Sequence, residues 1–465
     1  MEHNPPPNRE ENFKFMATLS WGKEWVVEVP CKIFLPETCM SYPELYIFPD
    51  AGIFRRIPLG SCSGLTGSIG SPPDIEFKGR DVHISGGTLT CWDAGLDEGY
   101  FKIYPSELII THYFRGKENG NPEADLIFHL TPSKLLSPTD FRKANLDGSV
   151  DVEPGESFSV CLENNLSIEF KNHYQWKTKG DKIIGSSELV GILPLSTYPT
   201  EEQLDHLVNL MDDFLLLVSL AEGQGCVIHS YDIYYAEKIV TVYRLNRSIP
   251  TLSEAHSFND FLIVSEFKTF VDTTWKCFRS SDQKNLVRLA LQLITNDSKG
   301  VMELKFLAFF QSIEAILMVF KLNNFRNFIK NPAIERLSRR VVKELERVEL
   351  KKAFEAFISE KNLIVSDLWP FCNAEKILPL IKIRNHLVHG GYWPPQYIQS
   401  LGVAIKNVEW YAKRMILAYL NWDINQSRAF FEDSKVKEWK IAIEMLKPFF
   451  EKEFKGISLL IEVDE

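Results

Sequence analysis

The period of the hydrophobic pattern changes near Leu252, and that change sets the fold class. From about Asn12 to Ile192 the apolar residues come in short, partly alternating runs such as Trp25–Val29, Thr88–Trp92 and Leu166–Phe170. Turn signals at Gly86-Gly87, Asn119–Pro122 and Pro154-Gly155 separate the runs. Short strands at this spacing predict an antiparallel sandwich or barrel. From Leu252 onward apolar residues recur every 3.6 positions. The pattern predicts helices near 257–278, 282–296, 301–321, 333–347, 350–360, 374–389, 397–421 and 434–453. Short connections make this an α-helical bundle. The fold class is therefore α+β multidomain, with a β-rich N-terminal domain and an all-α C-terminal domain.

The boundaries follow from local signals. Residues 1–12 are polar and Pro-rich and read as a flexible arm. Residues 13–250 form the β-rich domain, which closes with a helix over 200–222 and a hairpin over 227–245. Thr200 and Gln203 have the spacing of a capping box, and Gly223 and Gly225 stop the helix. Residues 253–465 form the helical domain. Pro332 marks a helix entry and Pro379 a kink. Gly60, Gly64, Gly67 and Gly70 lack the following helix and lysine of a phosphate-cradling loop and read as ordinary turns.

Composition narrows the functions open to such a chain. Of its 465 residues 45% are hydrophobic and 25% charged, which excludes global disorder. No apolar run approaches the roughly 20 residues of a membrane span. The N-terminus lacks a basic stretch followed by an apolar one, so no secretory signal and no membrane partner is expected, and the protein is expected in the cytoplasm. The eight cysteines form no C-x-x-C pair, which argues against zinc and redox motifs and for free thiols. His112, His129, His173 and His229 lack ligand spacing, and no metal or other cofactor is expected. Residues 1–200 carry 18 basic and 27 acidic side chains, whereas residues 253–465 carry 31 and 27. An acidic front repels nucleic acid, while the back can accept it locally.

Chemistry concentrates in Ile381–Pro395. An apolar helix carries a polar insert, Arg384-Asn385-His386, and ends at His389-Gly390-Gly391. Arg384 and His389 are five residues apart, about 140° around a helix. They do not stack, but near a helix end both can line one groove. A guanidinium grips a phosphate with its planar fork, and an imidazole exchanges a proton near neutral pH. That pair is what phosphodiester cleavage needs. The bland reading of the same residues is a helix capped by its histidine and paired through its arginine. Glu314 lies on a largely apolar helix and needs a partner, which Arg384 can supply, or else it faces solvent. His386 lies about 200° from Arg384 and points elsewhere. Lys382 steers phosphate or is simply solvated. Nine basic residues between Arg326 and Lys352, Arg336, Arg339 and Arg340 among them, can hold an RNA backbone or form a solvated helix with i,i+4 ion pairs. Trp369, Phe371, Tyr392 and Trp393 flank the motif, either to stack on bases or to pack the bundle.

Arg384-Asn385 followed by His389 resembles the R-x4–6-H motif of HEPN domains. Glu303–Phe320, with Gln311–Ile316 inside it, resembles the upstream HEPN helix that carries a polar or acidic residue. The Gly-Gly-Tyr ending and the β-rich front make the chain similar to the ApeA-like HEPN family, bacterial proteins of abortive defence against phages. The resemblance implies a metal-independent endoribonuclease. Arg384 would bind the scissile phosphate, His389 would move the proton in 2′-OH attack, and Asn385 would orient substrate or imidazole, with Glu314 and His386 in support. It further implies a homodimer or higher homo-oligomer with paired motifs, and RNA such as tRNA as substrate. A 2′,3′-cyclic phosphate would be the product. A toxic nuclease needs restraint, so the front domain is expected to hold the bundle inactive until a trigger, such as a phage component, arrives. The alternative function is a non-catalytic RNA-binding or dimerisation scaffold.

Overall fold

The computed structural model describes residues 12–21, 25–35, 42–57, 59–69, 75–91, 97–113, 124–137, 141–144, 150–153, 157–163, 166–179, 182–223, 225–235, 238–244, 266–295, 301–320, 339–372, 377–390, 392–423, 441 and 443–453. It is mixed α and β, with a barrel-like antiparallel sheet in the N-terminal part and helices in the C-terminal part. The chain divides into two compact units, Met1–Asp212 with Cys226–Thr251, and Asp213–Gly225 with Leu252–Glu465.

The first unit starts with β1 (Asn12–Trp21), β2 (Trp25–Phe34), β3 (Glu44–Ile47), a short α1 (Ala51–Phe54), β4 (Gly60–Ile69), β5 (Ile75–Cys91) and β6 (Asp97–Tyr104). Phe15, Ala17 and Leu19 are buried and alternate with Lys14, Met16, Thr18 and Ser20, the period-2 signature of a half-buried strand. The strands pair in the order β5-β4-β1-β2-β3-β6, and β6 pairs back onto β5, closing a six-stranded barrel. Its core holds Leu19, Val29, Ile33, Ile47, Leu65, Val82 and Phe101. Gly60, Gly64 and Gly67 lie inside β4, not in turns. At Gly67 a Cβ would sit 2.2 Å from the Phe15 ring, so the close crossing of β1 requires glycine. Gly86-Gly87 is likewise not a turn, for β5 runs through it with a register shift against β6 between Ser85 and Gly87.

From β5 the sheet continues through β7 (Glu107–Tyr113) to later strands. These are β8 (Ala124–Leu130), β11 (Phe158–Glu163), β12 (Leu166–Lys179), β13 (Lys182–Leu195), β14 (Ile228–Tyr235) and β15 (Lys238–Arg244). β9 (Phe141–Ala144) and β10 (Val150–Glu153) pair with each other in a separate two-stranded sheet. α2 (Glu201–Glu222) begins with the expected capping box: Gln203 N–H donates to Thr200 Oγ1 at 3.2 Å, and Thr200 N–H to Gln203 Oε1 at 3.0 Å. It ends at Gly223, whose φ of 71° suits glycine. Asp212 takes both arms of Arg244 at 2.9 and 3.0 Å and lies in the first unit. His129 sits inside the sheet between Asp232, at 2.8 Å, and Glu188, at 3.3 Å. Burial pushes the pKa of nearby His112 down, against the pull of Asp232.

The second unit comprises the end of α2, α3 (Phe267–Ser280), α4 (Lys284–Thr295), α5 (Met302–Val319), α6 (Arg339–Glu360), α7 (Ile377–Gly390), α8 (Ile398–Tyr419) and a helical stretch at 443–453. α3 buries Phe267, Phe270, Val271, Trp275 and Phe278, one stripe at helical spacing. α5 packs against both α4 and α8. Asp213, fully buried, collects Arg279, Lys284 and Arg288 within this unit. One expectation needs correction. The helices predicted over 333–347 and 350–360 are one continuous helix from Arg339, because Val348-Glu349 holds no glycine or proline to break it. Pro379 lies inside α7, which runs through it from Ile377 to Gly390. The predicted starts at 257, 333, 374 and 434 lie outside the described residues. No helix among the described residues is long and apolar enough to cross a membrane. Cys31, Cys62, Cys161, Cys226, Cys277 and Cys372 are free thiols.

α8 buries charge as well as apolar surface. Burial alone would raise the Glu409 carboxyl, but Lys413 at 2.7 Å and Lys406 at 3.1 Å overcome it and hold its pKa at about 2, from an ordinary 4.5. The folded value lies below the unfolded one. This contribution is therefore complete above about pH 4.5 and is lost as pH falls towards 2. Urea midpoints of the wild type are expected to fall across that window. Glu409→Gln is expected to start lower at pH 7 and to decline less steeply. Parallel slopes for the two proteins would remove Glu409 as the cause.

Candidate functional site

The site grows from the last turns of α7. Leu380, Ile383 and Leu387, spaced i, i+3, i+7, bury one side of that helix together with Ile381. Arg384 lies beside this stripe and is half-buried, with 29% of its side chain exposed. Its Nη2 donates to Glu314 Oε1 of α5 at 3.2 Å, and its Nη1 donates to Asn385 Oδ1 at 3.0 Å. Glu314 is 19% exposed and Asn385 is buried, so both acceptors hold the guanidinium from its protein side. Such charge-assisted bonds are the stronger kind, worth about 1.5–3 kcal/mol each. Arginine has five N–H donors in a fixed fork, and these two bonds leave others for an incoming oxyanion.

His389 lies in the last turn of the same helix, exposed, and makes no hydrogen bond to any described residue. The α-helical period puts it about 7.5 Å along the axis from Arg384 and about 140° around it. One copy of the chain therefore offers a fixed guanidinium and a free imidazole near one helix end, not a closed pair. Asn385 is engaged by its own neighbour, and its carbonyl oxygen is spent on orienting Arg384.

The flanking residues divide. His386 is half-buried, with Nε2 3.1 Å from the carbonyl oxygen of Tyr392 and its ring edge-on to Trp393 at 5.9 Å. Trp393 in turn donates from Nε1 to the carbonyl of Tyr397 at 3.0 Å. His386 thus ties down the chain that leaves α7, while Arg384 engages α5. Phe371 and Trp393 are buried, and Trp369 packs edge-on against Phe450, so these three aromatics belong to packing. Tyr392 is 59% exposed and open to a base. Lys382 is half-buried. Arg336 lies outside the described residues, and of Arg339 and Arg340 only the backbone, the start of α6, is described. Farther along α6, Lys351 pairs with Glu355 at 3.6 Å and Lys352 with Glu349 at 3.4 Å. That part of the helix is a solvated face with local ion pairs.

Among the described residues no group of three or more His, Cys, Asp or Glu side chains is placed to hold a metal ion. The sequence reading passed over the His129–Asp232–Glu188 cluster, whose members come from three strands and share no spacing motif. Neither any family model nor any curated protein matches the chain.

Proposed function

We propose that this chain is an anti-phage defence effector of the ApeA-like HEPN kind, a metal-independent endoribonuclease whose helical unit cuts RNA, with tRNA a natural first substrate. The observation that carries the reading is the guanidinium of Arg384, held by Glu314 and Asn385 next to a helix end that leaves His389 free. In the reaction the ribose 2′-oxygen attacks the adjacent phosphorus and the P–O5′ bond breaks. The products are a 2′,3′-cyclic phosphate and a 5′-hydroxyl. Arg384 stabilises the charge that builds on the phosphoryl oxygens. His389 accepts the 2′ proton or delivers one to the departing 5′-oxygen, and a second copy of the chain supplies the complementary group. The N-terminal unit restrains the nuclease without silencing it, so the untriggered full-length chain cuts slowly and a trigger of phage origin raises the rate. DNA, which lacks the 2′-hydroxyl, is inert.

The test uses purified full-length protein, total tRNA and excess chelator. Cleavage with 2′,3′-cyclic ends is expected, and its absence under every ionic condition would leave a non-catalytic RNA-binding or dimerisation scaffold as the better reading. Glu314 acts through Arg384, as a positioning residue. Glu314→Ala is expected to lower kcat about tenfold, the low end for one charge-assisted hydrogen bond, with little change in KM. Glu314→Gln, which keeps an acceptor oxygen, is expected to recover part of the loss. A purely structural glutamate would shift Tm and leave kcat of the folded protein unchanged.

A further inference from the structure

We propose that the outer face of the N-terminal barrel, across β2, β3 and β6, binds a single-stranded polynucleotide. The barrel interior is filled by its own apolar cluster, so nothing in its packing demands aromatics outside. Yet four aromatic rings form a continuous row there. Phe34 meets Tyr46 edge-on at 5.8 Å, Tyr46 meets Tyr100 at 5.9 Å, and Tyr100 meets Phe48 at 6.3 Å. Phe48 and Tyr100 are 42% and 38% exposed.

The register sets lysines among these rings. Lys14 stands opposite Lys32, Lys32 opposite Tyr46, and Tyr46 opposite Lys102, so one row across four strands reads Lys, Lys, Tyr, Lys. The Lys32 ammonium lies 4.1 Å from the centre of the Phe34 ring, and that of Lys102 5.6 Å from Tyr46. Glu44 lies among them, 3.0 Å from both Lys102 Nζ and the Tyr46 hydroxyl. Three ammonium groups face Glu44 here, and a second exposed carboxylate, Glu28, lies four residues along β2 from Lys32, so lysines still outnumber the carboxylates described around the rings on a stretch of chain that is acidic as a whole.

Rings at intervals with ammonium groups beside them match bases and phosphates at intervals. Base–aromatic stacking accepts any base, and lysines neutralise the backbone. An exposed cation–π contact is weaker than a base stack, so Lys32 can swing from Phe34 to a phosphate as a base arrives. A neutral sugar would use the rings and have no use for the lysines. The proposal does not depend on catalysis by the helical unit.

The experiment measures binding of fluorescein-labelled rU12 and dT12 to the full-length chain by anisotropy, from 50 to 300 mM salt, with chelator present. Both oligonucleotides are expected to bind, with affinity falling as salt rises. Tighter binding of rU12 would assign the surface to RNA, and equal binding to single strands of either sugar. Tyr46→Ala with Tyr100→Ala is expected to weaken binding about 5- to 150-fold per stacked base lost. Lys14→Ala with Lys32→Ala is expected to make the log–log salt slope shallower by about 1.4. Tyr46→Phe, which keeps the ring, is expected to bind as wild type and guards against misfolding of the alanine variants. The dT12 strand has no 2′-hydroxyl and escapes cleavage, so its binding and its response to the platform variants are read whether or not the helical unit is a nuclease. The proposal is overturned if neither oligonucleotide binds. It is equally overturned if platform variants with wild-type Tm bind unchanged, or if maltoheptaose displaces the oligonucleotide and salt has no effect.

Discussion

Replacing His389 by alanine is expected to slow RNA cleavage about 10²–10⁴-fold, the contribution of a positioned proton-transfer group. The same change is expected to leave stability within about 0.5 kcal/mol of wild type, because an exposed side chain that makes no capping hydrogen bond and packs in no core contributes little. His389 is such a side chain, exposed and not hydrogen-bonded to any described residue. Rate and stability are thus separable at this position, which is what makes the test sharp. Initial rates on tRNA and a melting curve on the same preparation measure both. Arg384→Lys is the informative companion. It keeps the charge and can still reach Glu314, but it loses the planar fork, so it too should cleave slowly. Wild-type rates from His389→Ala protein would end the nuclease mechanism.

Local signals were legible in the sequence where one element carried all the information. The alternation Phe15, Ala17, Leu19 marks β1, and Thr200 with Gln203 marks the start of α2. Signals that depend on partners distant in sequence were not. Closure of the barrel rests on β3 pairing with β6, which joins Leu45 to Ile103, and no local pattern encodes that contact. Gly67 looks like a turn residue until the ring of Phe15 is seen across it. Charge misled in the same way. Lys14, Lys32 and Lys102 share one row of the sheet, but a sum over 200 residues averages them away under an acidic total. At the candidate site, the partner of Arg384 was open to chemical argument although it lies 70 positions away, because a carboxylate in an apolar stripe needs a cation. The role of His386 in fastening Tyr392 and Trp393 was not, since it depends on how the chain turns after Gly390.

The largest stability effect is expected at Asp367. It accepts both arms of Arg414, at 2.9 and 2.8 Å, and Arg414 also donates to the carbonyl of Ile364 at 3.0 Å. The guanidinium is 1% exposed, so it has almost no water to fall back on. Asp367→Ala leaves that charge buried without its carboxylate, a change that typically costs about 3–5 kcal/mol. For a unit of this size the melting temperature should fall by about 6–20 °C. The pair itself need not be worth that much, because most of the loss is the penalty on the charge left behind. The double variant Arg414→Met, Asp367→Leu removes both charges and should therefore melt closer to the wild type than Asp367→Ala does. A single variant within 1 kcal/mol of wild type would show that water reaches Arg414 after all. The effect bears on the site through the chain path: Asp367 lies in the segment between α6 and α7, ten residues before the start of the helix that carries Arg384 and His389. Asp367→Ala should thus shorten the active lifetime on warming, while kcat of the protein that remains folded stays near that of the wild type.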